Sequence, residues 1–486
     1  MTTSGRTSSQ KAGLWLGPLL FLAMATVTDI QSIMATDAWL VAGVAIWMAV
    51  WWSTEAIPVP ATAFLPLVLF PMIEVAPIRA VAQSYSHPTI YLFLGAFILA
   101  LSVEKWGLHR RIALWVLSRT GTDARALILG FMVAGALLSM WMTNTSTTMM
   151  LLPIAVSVSA LVIEKAVTAS ETQKRQFQVA LLLALAYSTT IGGMSTLIGT
   201  PPNAFLAGFM EETYGIQIAF LDWFLIGLPL AIVLLPTGWF VLTRIAFQVD
   251  IPSSSAGASA IVAMKDQLGQ MSPSEQRVAL IFLSVIFLWM TRSWLSDLPM
   301  LSGLSDAGIV MAAALLLFVI PAGARNEGAL MQWEDLTRLP WGVLVLFGGG
   351  LALAAQVSNS GLAFWLGESL TPLTNMGMLV LVIAAAGLVV FLTELTSNLA
   401  TTATLLPVIA AMAASSGIDP LVLCVPVTLA ASCAFMLPVA TPPNAIVFSP
   451  GILTIPQMIR AGFIMNVIAM LVLTILAMLA VPAVFS

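Results

Sequence analysis

Residues 198–203 read IGTPPN and residues 439–444 read VATPPN, each within a long apolar stretch. Proline removes a backbone donor and its ring clashes with the preceding turn, so a helix does not run undisturbed through such a pair. A helix can, however, end before the pair and another begin at it. Gly199 suits the end of the first helix and Thr200 can cap the second. Pro201 fits a first helical position, where its missing N–H would be unpaired anyway. Each motif therefore predicts a discontinuous helix that presents two helix ends at one depth.

The flanking residues identify that depth. The 486-residue chain is 59% hydrophobic and only 8% charged, with mean hydropathy +1.00, whereas soluble domains carry about a quarter charged residues. Apolar runs long enough to cross a bilayer fall near 13–28, 38–54, 57–73, 89–104, 178–210, 220–243, 278–296, 306–322, 340–357, 420–450 and 457–484. Two more blocks, 125–163 and 374–415, are interrupted by polar clusters. These features predict an all-α polytopic membrane protein with about 11 spans plus two re-entrant hairpins. The lipid bilayer is the expected surrounding. With no basic patch and no zinc-like cysteine spacing, nucleic acid is not an expected partner. Cys424 and Cys433 read as small buried side chains. Arg6 and Lys11, an apolar run and then AMA at 23–25 have the look of a signal peptide but are read as an uncleaved first span.

If each interrupted block returns to its own side, all but Arg79 and Arg292 of the 18 Lys and Arg residues, Arg325 included, fall on one face. A full crossing by 125–163 would move Lys165, Lys174, Arg175, Arg244, Lys265 and Arg277 to the other face, so the charge bias favours hairpins. The N-terminus is then expected in the cytoplasm and the C-terminus on the extracytoplasmic side. Outward loops hold Asp29, Asp37, Glu211, Glu212, Asp297, Asp306 and Asp419. The polar PSSSAGASA at 252–260 reads as a flexible connector. The expected division is 1–35 as tail and first span, then 36–251 as a first repeat with a cytoplasmic hairpin at 125–163. A cytoplasmic linker at 252–277 leads to a second repeat at 278–486 with an outward hairpin at 374–415.

The halves resemble each other. GAFILALSVEKWGL at 95–108 aligns with GGLALAAQVSNSGL at 349–362, an offset of 254 that also pairs MTNTSTTMMLLP at 142–153 with TSNLATTATLLP at 396–407. An offset of 241 superposes the two TPPN motifs at 200–203 and 441–444. Because one hairpin opens inward and the other outward, the repeats are expected to be inverted. Inverted repeats with broken helices are a plan of secondary transporters, whose site lies near mid-membrane where the repeats meet.

Helix N-termini at Thr143-Asn144-Thr145-Ser146, at Ser397-Asn398 and at the two TPPN motifs would carry partial positive charge suited to an anion. Unwound carbonyls suit a small cation. No Lys or Arg lies in these segments, so a co-bound Na⁺ is expected to compensate an anionic cargo. Glu394 is the one acid inside a hairpin, and its counterpart is Met140. It reads as a carboxylate hydrogen-bonded to nearby hairpin backbone, with a protonatable coupling group as the alternative. The amphipathic 107–121 stretch reads as a support helix at the membrane surface.

The run of TNT, TPPN, SNL and TPPN, in that order, resembles the divalent-anion:sodium symporter family, over nearly the whole chain. The resemblance implies a homodimer in a bacterial cytoplasmic (inner) membrane, with a scaffold domain and a moving transport domain, working as an elevator. Carried over by position, it implies one Na⁺ site at Ser139, Thr143, Asn144 and Gly199, and another at Thr393, Thr396, Asn398 and Ala440. It implies substrate contacts at Thr143, Asn144, Thr145, Thr200 and Pro201, and at Ser397, Asn398, Thr441 and Pro442. Thr143 keeps the hydroxyl of the family's serine, whereas Leu399 loses that of its threonine. The implied activity is Na⁺-coupled symport of C4-dicarboxylates such as succinate, malate or fumarate. Na⁺-independent exchange, or transport of sulfate or a tricarboxylate, is the alternative. An intramembrane enzyme would need a nucleophile–base pair or metal ligands that the sequence does not offer, and a channel is the remaining class.

Overall fold

The structure, a computed structural model, describes residues 6–27, 34–121, 123–251, 255–323, 326–374 and 377–485. Asp29, Arg325 and the first three residues of the expected connector lie outside the described residues. The described chain is almost entirely helical. It opens with α1 (Ser8–Thr26), α2 (Thr36–Thr54), α3 (Val59–Thr62), α4 (Leu65–Met72), α5 (Ile78–Gln83), α6 (Pro88–Lys105) and α7 (Leu108–Leu117). There follow α8 (Ala124–Ser139), α9 (Asn144–Lys165), α10 (Glu171–Gly193), α11 (Pro201–Tyr214), α12 (Phe220–Phe240) and α13 (Ser255–Gln267). The second half holds α14 (Pro273–Leu295), α15 (Asp306–Val319), α16 (Trp341–Asn359), α17 (Leu362–Thr374), α18 (Met378–Leu392), α19 (Asn398–Ser415), α20 (Pro420–Ser432), α21 (Pro442–Phe448) and α22 (Ile455–Phe485).

Local chemistry sets several of these boundaries. Thr7 with Gln10, Ser170 with Gln173 and Ser272 with Glu275 form reciprocal capping boxes that start α1, α10 and α14. Gly107 and Gly215, both at positive φ, turn the chain into α7 and out of α11. Helix α10 is the centre of the fold. Every residue from 179 to 193 is buried, and the helix packs against α8, α9, α12 and α21. By contrast α14 exposes Leu280, Leu283 and Phe287, and α22 exposes Leu471, Ile475 and Leu479, as lipid-facing helices do.

Among the described residues, seven helices of at least 18 residues are apolar enough to cross a membrane, and shorter apolar helices lie between them. Long apolar runs of the sequence are shorter helices in the structure because prolines and tips divide them. The run 57–73 is split into α3 and α4, with Pro58, Pro60, Pro66 and Pro71 around the breaks. The stretch expected to be a flexible connector is helical from Ser255 onward. Its alanine-rich sequence favours helix, and α13 docks on α7 and α9 with Ile261 buried. A short antiparallel pairing of β1 (Pro321–Gly323) with β2 (Asn326–Ala329) departs from a purely α chain, beginning where Pro321 follows the end of α15.

Candidate functional site

Each half contains a helix–turn–helix tip facing an interrupted helix, and the two units share one set of hydrogen bonds. In the first, Ser139 ends α8 and donates to Asn144 Oδ1 at 2.5 Å, while Thr148 Oγ1 donates to the Asn144 carbonyl at 2.8 Å. In the second, Thr393 donates to Asn398 Oδ1 at 2.9 Å and Thr402 Oγ1 to the Asn398 carbonyl at 2.8 Å. These partners are related by the 254-residue offset. The side chain of Asn144 lies on the bare face of Gly193, where a Cβ would sit 2.3 Å from its Oδ1. Glycine at that position is what lets the tip reach the end of α10.

Both TPPN motifs interrupt their helices, over 194–200 between α10 and α11 and over 433–441 between α20 and α21. The asparagine of each motif repairs the backbone it breaks. Asn203 Nδ2 donates to the carbonyls of Gly193, Met194 and Thr196, at 3.3, 3.4 and 2.8 Å. Asn444 Nδ2 donates to those of Ala434 and Leu437, both at 3.0 Å. Gly193 and Ala434, and Thr196 and Leu437, are partners under the 241-residue offset. Irregular backbone in an apolar interior needs such partners, since each unpaired buried group costs about 1–3 kcal/mol.

Every predicted residue lies at one of these tips or breaks. Thr143 caps α9 by accepting from Ser146 N at 3.2 Å, with Asn144 and Thr145 half-buried in the first turn. Thr200 caps α11 by conformation alone, with Gly199 behind it and Pro201 at the first helical position. Ser397 begins α19 without a side-chain cap bond, next to half-buried Asn398. Thr441 accepts from Asn444 N at 3.3 Å; Ala440 is buried and Pro442 exposed. Thr396 turns its hydroxyl to the Leu392 carbonyl at 3.0 Å and to Thr401 at 2.5 Å.

The four N-termini are not equal donors, contrary to the expectation from sequence. Paired prolines at the start of α11 and α21 remove the first two N–H groups of each. In α21 the Thr441 hydroxyl takes the next. Donor capacity for an anion is therefore concentrated at the tips, where α9 and α19 begin with ordinary residues. Oxygens without protein partners collect at the breaks instead. Asn203 Oδ1, Ser195 Oγ, Asn444 Oδ1 and Ser432 Oγ are all buried and unpaired, a donor set of the hard-oxygen kind that suits a small cation.

The halves meet through their breaks. Tyr187 of α10 donates to the Phe435 carbonyl at 2.8 Å with the two rings 4.8 Å apart, and Cys433 Sγ lies 3.8 Å from Met194 Sδ. Helix α21 packs on α9 and α10, and α11 packs on α19 and α20, so each broken helix serves the opposite half. Among the described residues no direct hydrogen bond joins 143–145 to 397–398. Sequence reading missed Asn203, Asn444, Thr196 and Tyr187. Repetition of the motif asparagine was the available signal for the first two. Tyr187 and Thr196 carried none, because their partners are remote backbone carbonyls.

Interrupted helices held face to face inside an apolar bundle define a membrane transporter of the secondary type. The chain belongs to the family of the sodium:sulfate symporter transmembrane region, whose model matches residues 14–485. This bears out the resemblance carried by the four motifs. A relative from Staphylococcus saprophyticus, the sodium-dependent dicarboxylate transporter SdcS, is 41% identical over 98% of this chain and 92% of its own. SdcS of Staphylococcus aureus strain USA300 is 40% identical over 99% of this chain and 93% of its own. The crystal structure of the Alcanivorax borkumensis YdaH transporter matches with a TM-score of 0.60, covering 88% of this chain and 96% of that one at 16% identity. That likeness establishes the fold.

Proposed function

We propose that this protein is a secondary active transporter that carries C4-dicarboxylates into the cell by Na⁺-coupled symport. The observation that carries the reading is the pairing of anion donors at the tips with unpaired oxygens at the breaks, in two units that touch. The two SdcS relatives, named as sodium-dependent dicarboxylate transporters, support the cargo and the coupling ion. In this reading Thr143, Asn144, Thr145, Thr200 and Pro201 meet one carboxylate, and Ser397, Asn398, Thr441 and Pro442 the other. Na⁺ is held near Ser139, Thr143, Asn144 and Gly199, and near Thr393, Thr396, Asn398 and Ala440. Leu399 is turned into the packing, 4% exposed, so the second tip binds through Ser397 and backbone N–H groups.

The two units are taken as inverted repeats, with the tip-bearing part moving against a scaffold in an elevator motion. The protein is a homodimer in the cytoplasmic (inner) membrane with its N-terminus inside. Sulfate is the second reading, favoured by the family description. Succinate uptake into proteoliposomes decides between them. Uptake should rise steeply with an inward Na⁺ gradient and resist excess sulfate, and Asn144→Ala or Asn398→Ala should each reduce it to background in folded protein. Uptake indifferent to Na⁺ would overturn the coupling, and efficient competition by sulfate would overturn the cargo.

A further inference from the structure

A cavity of about 520 Å³ opens where three helix ends meet: the first turns of α10 and α22, and the π-helical stretch Val241–Ala246 that closes α12. A π turn at the end of an α-helix is rare and frequently marks a functional site. The cavity wall carries Arg175 and Gln176 from α10, Phe247 after the π turn, and Pro456 and Arg460 from α22. The apolar spans Phe220–Ala246 and Ile455–Phe485 end and begin here, so the cavity sits at the level of a bilayer surface. Both arginines are exposed, and among the described residues neither forms an ion pair or a side-chain hydrogen bond. By contrast Arg111 pairs with Glu275, Arg292 with Asp306 and Arg338 with Glu104, and Arg125 donates to the Val249 carbonyl. The acid on the wall, Glu171, is taken by Lys174 at 2.8 Å. The wall is left with unanswered positive charge, which the dipoles of α10 and α22 reinforce.

We infer that this cavity binds the headgroup of an anionic phospholipid, its phosphate held by Arg175 and Arg460 and its acyl chains lying along Phe463 and Phe391. Exposed rings continue from the charged wall along the spans. Phe463, one turn beyond Arg460 on the same face of α22, is 50% exposed and lies 6.0 Å from Phe391 of α18, itself 41% exposed. A soluble anion would use only the charged half of this surface, whereas a phospholipid uses both. Guanidinium forks match phosphate oxygens bidentately, and basic pockets between membrane helices take such headgroups. The two helices joined in this way each serve a break. Helix α10 ends at Gly193, before the first, and Asn466 of α22 accepts from Phe435 N in the second at 3.4 Å. Bound lipid therefore ties the two units together at their far ends, away from the residues assigned above to cargo and cation.

The test is a titration of the delipidated full-length protein in detergent with phosphatidylglycerol or with phosphatidylcholine of the same acyl chains. It is read as melting temperature and as lipid adducts in native mass spectrometry. Phosphatidylglycerol should raise the melting temperature saturably and phosphatidylcholine should not, because only a ligand of the folded state stabilises it in this way. Arg175→Gln and Arg460→Gln should each raise the half-saturating mole fraction by about fivefold, the worth of one basic residue at an anionic surface. Arg110→Gln, which removes an exposed charge from α7, should titrate as wild type does. Gln176→Glu brings an acid onto the wall and should weaken binding at least as much as either arginine variant, so it decides the matter if those fail to fold. Equal stabilisation by the two lipids, a loss in Arg110→Gln as large as in the cavity variants, or a wild-type titration by Gln176→Glu would each overturn the inference. Glycerol 3-phosphate matching phosphatidylglycerol at equal concentration would overturn the lipid and leave a soluble-anion site.

Discussion

The two tip-and-break units share a backbone plan but are braced differently. At the first tip Trp141 stacks on Phe220 of α12, with centroids 6.0 Å apart at 17°, and meets Phe282 of α14 edge-on at 5.5 Å. At the second tip the equivalent residue is Leu395, 70% exposed, and Val439 of the second break is 81% exposed. The first broken helix continues for 14 residues in α11, the second for only 7 in α21. Repetition has therefore preserved the polar bonds that make an interrupted helix tolerable. Packing around each tip has diverged, leaving the first unit held against neighbouring helices and the second open. A part that must move against its surroundings is expected to have one less-braced side, as low local contact density marks the segments that open first.

The largest expected effect attacks what the two units share. Asn203→Ala leaves the Gly193 carbonyl without a donor, since Met194 keeps Trp223 Nε1 at 3.1 Å and Thr196 keeps Gly199 N at 3.4 Å. Asn444→Ala likewise leaves that of Ala434, since Leu437 keeps Ala440 N at 3.2 Å. Both should abolish Na⁺-driven uptake. The structural loss should be similar in the two, about 1–3 kcal/mol for the one carbonyl that each leaves buried and unpaired. Clearly unequal melting-temperature shifts would mean that the two asparagines are not equivalent repairs of the same break.

A smaller effect addresses what they do not share. Trp141→Ala removes two aromatic contacts, each worth about 0.5–1.5 kcal/mol beyond the buried area. Leu395→Ala trims an exposed side chain and should fall within about 0.5 kcal/mol of wild type. Melting curves in detergent compare the pair directly. Matching losses would remove the distinction between a braced and an open tip.

Much of this organisation was legible because it rests on residues with strong local signatures. TPPN inside apolar sequence has few physical readings, and in both halves the tip, TNT or SNL, precedes its TPPN motif. The asymmetries were not legible. Whether Trp141 is packed depends on Phe220 and Phe282, far away in sequence, and nothing local distinguishes it from an interface tryptophan. The loss of N–H donors to paired prolines could have been read from the motif itself, yet counting helix ends alone overlooked it. The connector read at 252–260 misled because serine and glycine suggest flexibility, while the alanines among them form a helix once α7 and α9 offer a surface.

The smallest expected effect lies where the first arm joins its span. Helix α7 and its counterpart α17 begin 254 residues apart, at Leu108 and Leu362. Just before α7, Lys105 pairs with Asp335 at 2.5 Å and Glu104 pairs with Arg338. Within α7, Arg111 reaches Glu275 at 3.1 Å and the Gly269 carbonyl at 2.8 Å. The equivalent positions before and within α17 are Ser358, Asn359 and Trp365, none of them charged, so only the first arm should respond to acid. Burial pushes the Asp335 carboxyl up, but its hydrogen bonds from Lys105 and Gln332 N outweigh this and leave it below the usual carboxylate range. A depressed folded value stabilises above the unfolded value of about 4 and is lost as pH falls through the lower folded one. Asp335→Asn should therefore show a slightly smaller fall in melting temperature than wild type between about pH 6 and about pH 3, a difference below about 1 kcal/mol for a partly exposed pair. Asn359→Asp introduces an acid at the second arm without a matching lysine, and should not reproduce that difference. A larger acid-induced fall in Asp335→Asn than in wild type would reverse the sign and show that the pair does not hold the first arm.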